Sequence, residues 1–265
     1  MSVLDQIIAR KKIEVAEAKD RLSFDRLQRF IKPADQNLSL KQHLLALNKT
    51  GIIAEFKKGS PSKGIINDKV TPQEVTRGYE LAGASACSVL TDKDFFFGSE
   101  EDLKAARGAV HIPLLRKDFM IDEYQILEAK AWGANIILLI AACLTPADVK
   151  RLAKFAHATD LEVLLEVHNK KELLDNLIDE VDVIGVNNRN LKTFEVSIDN
   201  SLQLAELIPT RYVKISESGL DRPEDLITLE KAGYKGFLMG ERFMKEKDPG
   251  KAMMDFVKKY EALKK

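Results

Sequence analysis

IILLIAACLTPADVKRLAKFA, residues 136–156, reads as one strand followed by one helix. Ile136 to Ile140 is a short, unbroken apolar run of the kind that is buried on both faces in a parallel sheet. Thr145 then caps a helix whose first position is Pro146. Val149, Leu152, Ala153 and Ala156 recur at helical spacing and form one apolar stripe. Working outward, seven further apolar runs surround this one: 51–56, 86–90, 112–116, 162–167, 182–186, 212–216 and 236–239. Thr71-Pro72 and Asp248-Pro249 repeat the cap-then-proline start, Asp221-Arg222-Pro223 does so with one residue more, and Asn169 with Glu172 resembles a capping box. Leu226, Leu229 and Ala232 form another helical stripe, and Gly83, Gly133 and Gly233 stand where helices end. Eight strands alternating with helices predict an α/β fold, a (β/α)8 barrel whose active site lies at the carboxyl ends of the strands.

The chain's 265 residues match a single barrel domain spanning 1–265, with residues 1–48 as an N-terminal helical extension. Ile7, Ile8, Ile13 and Val15 punctuate one charged helix there, and Leu40 to Leu47 reads as a second. The extension is expected to cover the barrel's bottom or flank. Forty-one basic residues balance 41 acidic ones, so no net field favours nucleic acid or an anionic membrane, and anion binding must be local. The longest apolar stretch, Ile136 to Leu144, falls far short of the ~20 residues that span a bilayer. No secretory signal opens the sequence, so a cytoplasmic location is expected. Cys87 and Cys143 read as small buried residues rather than a disulfide. His43, His111 and His157 show no metal-ligand spacing, and no metal is expected.

Polar residues gather where the runs end. Alternation along the first strand points Glu55 and Lys57 into the barrel together, as a catalytic pair or as a structural ion pair closing the top. The loop that follows carries Ser60, whose hydroxyl suits an anion as well as a plain turn. Lys117 ends the third run, flanked by Arg116 and Asp118, which point the other way. A lysine there acts as proton donor, electrostatic clamp or Schiff-base nucleophile, unless it is merely a solvated loop residue. Glu166 ends the fifth run among apolar neighbours, where desolvation favours proton transfer, although a structural glutamate paired with lysine reads the same. His168 immediately precedes the helix-start residue Asn169 and reads more as structural than as a base. Asn187 and Arg189 follow the sixth run, the arginine offering a planar fork for carboxylate or phosphate. Glu217, Ser218, Gly219 and Gly240 finish the last two runs, where barrels bind phosphate through backbone N–H groups. Glycines serving only as turns are the plainer alternative.

These segments together resemble the indole-3-glycerol phosphate synthase family, the tryptophan-pathway barrel, in its form without a fused isomerase. The resemblance is carried by IIAEFKKGSPSKG (52–64), LTDKDFFFGS (90–99), PLLRKDFMIDEYQILEAKAWGANIILLI (113–140), LLEVH (164–168), IGVNNRNLKTF (184–194), SESGL (216–220) and GFLMGE (236–241), in the family's order. It implies a carboxy-lyase that needs no cofactor and converts 1-(2-carboxyphenylamino)-1-deoxyribulose 5-phosphate into indole-3-glycerol phosphate. By resemblance, Lys117 is the general acid for ring closure and Glu166 a proton-transfer residue in closure or dehydration. Glu55 and Lys57 orient the substrate and take part in proton transfer, while Asn187 and Glu217 hold hydroxyls and stabilise charge. Arg189 clamps the benzoate carboxylate. Ser60, Ser218, Gly219 and Gly240, with the backbone of Glu241, hold phosphate. Three positions depart from the family pattern: Gly59 replaces an expected Ala, Asn190 a frequent Asp, and Glu241 a Ser of some members. The implied partner is a phosphorylated small molecule, with no nucleic acid, membrane or obligate protein partner. Two other readings stay open: an aldolase forming a Schiff base on Lys117, and a catalytically silent barrel that binds a ligand.

Overall fold

The structure, a computed structural model, describes residues 2–31, 38–191, 193 and 195–265. Part of the predicted extension (32–37) and two positions of the quoted segment 184–194 (192 and 194) lie outside the described residues. The apolar runs form eight parallel strands: β1 Ile52–Phe56, β2 Ala86–Leu90, β3 Leu114–Lys117, β4 Ile136–Ile140, β5 Glu162–Val167, β6 Val183–Asn187, β7 Val213–Glu217 and β8 Gly236–Met239. Each pairs with its neighbours in chain order, and β8 returns to β1 to close the barrel. Ile53 lies level with Ala86, Glu166 with Gly185, and Asn187 with Glu217. Between β1 and β2, Gly59–Ser60 and Gly64–Ile65 form a small antiparallel hairpin.

Strand alternation divides the apolar residues into two cores. Ile53, Leu115, Leu138, Leu164, Ile215 and Leu238 fill the barrel interior. Phe56, Tyr79, Leu103, Leu152, Phe237 and Tyr260 lie between the sheet and the helices. The predicted caps form: Thr145 Oγ1 accepts from the N–H of Asp148 at 3.2 Å, and Asn169 Oδ1 from that of Glu172 at 3.0 Å. At the helix Pro223–Lys231 the cap residue is Arg222 instead of Asp221, and Asp225 reaches back to the Arg222 N–H. Gly83, Gly133 and Gly233 take φ near +90°, the left-handed turn that ends each helix before the next strand.

The extension does more than the sequence indicates. Its described residues hold three helices: α1 Val3–Arg21, α2 Phe24–Phe30 and α3 Leu40–Leu45. Helix α3 covers the bottom, where Leu40 and Leu44 join the interior core and Glu162, at the start of β5, accepts the Leu40 N–H at 2.6 Å. Helix α1 instead reaches the opposite end. Its Lys11, only 3% exposed, places Nζ 2.8 Å from Asp92 and 3.0 Å from Asp118, in the loops after β2 and β3. A buried ammonium is costly without such partners, so this ion cluster fixes α1 at the barrel mouth.

Candidate active site

The mouth encloses a cavity of about 230 Å³ at the carboxyl ends of the strands. Glu55, Lys57, Ser60, Lys117, Glu166, Asn187, Arg189, Glu217, Ser218 and Glu241 all line it, although they come from six strands or their loops. Gly219 and Gly240 stand behind it. A Cβ on Gly240 would lie 2.7 Å from Glu55 Oε1, so the missing side chain makes room for that carboxylate. Gly219 follows Ser218 in the left-handed region, with φ of 71° and 68° respectively. For serine that conformation is strained, and such strain clusters at functional turns.

Lys117 sits at the centre. Alternation at the end of β3 sends its side chain inward and that of Arg116 outward, where the guanidinium hydrogen-bonds Gln125 O at 2.7 Å and lies 4.0 Å over the Trp132 ring. Lys117 Nζ lies 2.8 Å from Glu166 Oε2 and 3.0 Å from Glu217 Oε2. Asn187 Nδ2 donates to the other Glu166 oxygen at 3.0 Å. Beside this group, Lys57 Nζ lies 3.0 Å from Glu55 Oε1, and Ser88 donates to Glu55 Oε2 at 3.3 Å.

Burial alone would drive Lys117 toward the neutral amine, but Glu166, Glu217 and Glu55 outweigh it and hold the ammonium well above its usual range. Burial likewise opposes ionisation of Glu166, yet Lys117 and His168 prevail and keep it a carboxylate. Glu217 goes the other way. Its burial, with Glu166 and Glu55 nearby, outweighs Lys117 and pushes it up to about 7. One ammonium thus stands between one ionised carboxylate and one that titrates near neutral pH, an arrangement suited to passing protons.

Beyond Ser62, Asp118 and His168, the remaining wall is apolar, with Leu90, Phe96, Phe119, Leu138 and Leu238. Val3, Leu4 and Ile7 of α1 complete it, a contribution absent from the sequence reading, because nothing in their pattern distinguishes them from an ordinary helix stripe. Gly185 was missed too. A Cβ there would overlap the Glu217 carboxylate, and a lone glycine inside the strand VIGVN was the available signal of a close approach. Glu241 turns its carboxylate toward Lys63, 3.7 Å away. Among the described residues no group of three His, Cys, Asp or Glu is arranged to hold a metal ion. Both cysteines are free, Cys87 buried and Cys143 only partly so.

Solved structures share the fold at low identity. They include a lactate oxidase of Pediococcus acidilactici, with a TM-score of 0.62 at 16% identity over 81% of this chain and 70% of that one. A chain of the tryptophan synthase complex from Pyrococcus furiosus gives 0.61 at 16%, over 82% of this chain and all of that one. Sequence relatives are much nearer. The indole-3-glycerol phosphate synthase of Bacteroides thetaiotaomicron is 46% identical over 256 residues, 97% of this chain and 98% of the relative. That of Carboxydothermus hydrogenoformans is 42% identical over 94% of this chain and 97% of its own. The family profile described as indole-3-glycerol phosphate synthase matches residues 4–256, spanning both the Lys117 cluster and the α1 wall above it. By this match and these identities, the chain belongs to the indole-3-glycerol phosphate synthase family.

Proposed function

We propose that this chain closes the ring of 1-(2-carboxyphenylamino)-1-deoxyribulose 5-phosphate and releases carbon dioxide and water to give indole-3-glycerol phosphate. The observation that carries this reading is the sharing of Lys117 Nζ between Glu166 and Glu217 beside an apolar wall. The wall takes the aryl ring, and Arg189 at the rim pairs with its carboxylate. Ser60, the Ser218–Gly219 turn and the backbone N–H of Glu241 hold the phosphate. At the start of the short helix Glu241–Met244, the first N–H groups have no acceptor within the helix. Glu55 and Lys57 hold the ribulose chain over the ring, which brings the reacting carbons into contact.

Ring closure forms a carbon–carbon bond from the carboxylate-bearing ring carbon to the ketone carbon. Lys117 gives its proton to the ketone oxygen as that bond forms. Carbon dioxide then leaves and restores the aromatic ring. Dehydration removes a proton from the methylene carbon and the new hydroxyl as water. Glu166, already ionised, accepts that carbon proton and hands it to the departing hydroxyl, which leaves as water while Glu217 and Asn187 hold it, and Lys117 takes back a proton from solvent. No cofactor takes part, because the substrate's electron-rich ring supplies the nucleophilic carbon. An imine-forming lysine must be a free amine, whereas Lys117 is held protonated by its carboxylates, which favours the acid role over the aldolase reading.

The chain works as one barrel domain on a phosphorylated small molecule in the cytoplasm, without nucleic acid or an obligate protein partner. Among the described residues no helix is long and apolar enough to cross a membrane. The test is to mix the purified protein with the substrate and follow indole fluorescence with carbon dioxide release. One equivalent of each per turnover supports the synthase. Substrate binding without either product, or borohydride trapping of a keto-phosphate on Lys117, contradicts it.

A further inference from the structure

We propose that His168 is a positioning residue: it holds Glu166 through Oε1 so that Oε2 stays on Lys117. This rests on the synthase reading, in which the Lys117–Glu166 pair moves the protons. His168 follows β5 and lines the cavity beside Glu166, its side chain 8% exposed. Its Nε2 lies 3.3 Å from Glu166 Oε1, out of hydrogen-bond alignment, and is a buried nitrogen without another partner among the described residues. The contact is therefore one of charge. On the other side of the ring, Nδ1 lies 3.2 Å from Glu172 Oε2, an oxygen that also accepts the His168 backbone N–H at 2.7 Å. The Glu172 carboxylate is itself held by the capping residue Asn169, whose Nδ2 donates to Oε1 at 2.6 Å. The His168 carbonyl accepts from Asn200 Nδ2 at 3.1 Å, and the same amide reaches Asn187 O at 2.9 Å. Ring and backbone are thus clamped, and the backbone clamp also holds the residue that shares Glu166 Oε1.

Two carboxylates facing one imidazole favour the form that carries a proton on each nitrogen. Burial opposes the charge, but Glu166 and Glu172 outweigh it and raise His168 to about 10. The other titratable groups around Glu166 are Lys117, Glu217 across that lysine, and, from the turn after β4, Cys143, whose thiol burial pushes up to about 12, so it stays neutral. Glu166 and Glu217 are then faced by Lys117 and the His168 imidazolium, while Lys57 pairs with Glu55 beside them. Without that imidazolium, Lys117 faces Glu166 and Glu217 as their sole close cation, and the cluster takes up protons more readily.

The test is the pH dependence of kcat and KM for H168Q and H168N beside the wild type. Gln keeps a hydrogen-bond donor without the charge, and Asn shortens the reach as well. The acid limb of kcat should move up by about one pH unit in both, as loss of a neighbouring opposite charge does. Below that limb kcat should fall about tenfold, with KM within about twofold. A purely structural residue would lower the unfolding temperature and leave the limb in place. Folded variants with an unshifted limb overturn the role and leave the synthase reading standing, whereas no turnover by the wild type overturns both. If neither variant folds, nitrogen NMR of the wild-type imidazoles decides, with His168 assigned by replacing the other three histidines. A doubly protonated His168 ring at pH 8 supports the role, and a neutral one overturns it.

Discussion

Gly185 leaves open the space that the Glu217 carboxylate occupies: a Cβ on residue 185 would overlap Glu217 Oε1 and lie 3.2 Å from its Cδ. The two residues sit on neighbouring strands, and Glu217, 1% exposed, has little room to retreat. Gly185→Ala should push Glu217 away from Lys117 and lower kcat by about 10- to 100-fold, the scale of an ångström-sized misplacement. Circular dichroism should still report a folded barrel. Wild-type kcat in Gly185→Ala would mean that Glu217 needs no fixed position.

Glu217 also links activity to stability. Its folded pKa of about 7 lies above the ordinary carboxylate value, so the folded state binds the extra proton. The stability it contributes is full below about pH 4.5, declines as pH rises toward 7, and is lost above that. Glu217→Gln is neutral throughout. It should melt about 2–4 °C above wild type at pH 8 and show little gain at pH 4.5, while losing most turnover. Melting curves at the two pH values check the sign, and a larger gain at pH 4.5 would reverse it.

Asp118 has the opposite sign. Burial opposes its ionisation, but Lys11 and Arg116 outweigh burial and hold it at about 2. The stability it contributes is present above about pH 4 and is lost as pH falls toward 2. Lys11→Met removes one of its cations and leaves Asp92 and Asp118 facing each other with less compensation. We expect a loss of about 3–5 kcal/mol near neutral pH, as for other broken buried ion pairs. Denaturant unfolding measures it, and a loss below about 1 kcal/mol, the range of a surface pair, would contradict the anchoring of α1.

Arg189→Ala should act on binding. A charge-assisted hydrogen bond contributes about 1.5–3 kcal/mol, so KM should rise about 10- to 100-fold with kcat nearly unchanged. Steady-state kinetics separate the two, and an unchanged KM would remove the carboxylate clamp.

The barrel was legible because parallel strands buried on both faces leave continuous apolar runs, and several runs are followed by cap chemistry such as Thr145-Pro146. Most candidate site residues were legible for a related reason. An ionisable side chain such as Lys117 or Glu166 at the inward position of an apolar strand end has few structural uses. What α1 does was not legible, because Ile7 and Lys11 look like any apolar and charged residues of a surface helix until the chain's path is known. His168 was read from its neighbour Asn169, a helix cap, which concealed that its ring faces Glu166. The cap residue of Pro223–Lys231 is Arg222, one position past Asp221, and Asp225 reaches back to its N–H.

Lys117→Ala measures the central claim most directly, with substrate affinity by equilibrium titration and turnover by indole fluorescence. The account predicts kcat lower by at least about 10²–10⁴, the contribution of a positioned acid, with affinity changed only a few-fold. Turnover equal to wild type, or turnover lost only in proportion to affinity, would contradict it.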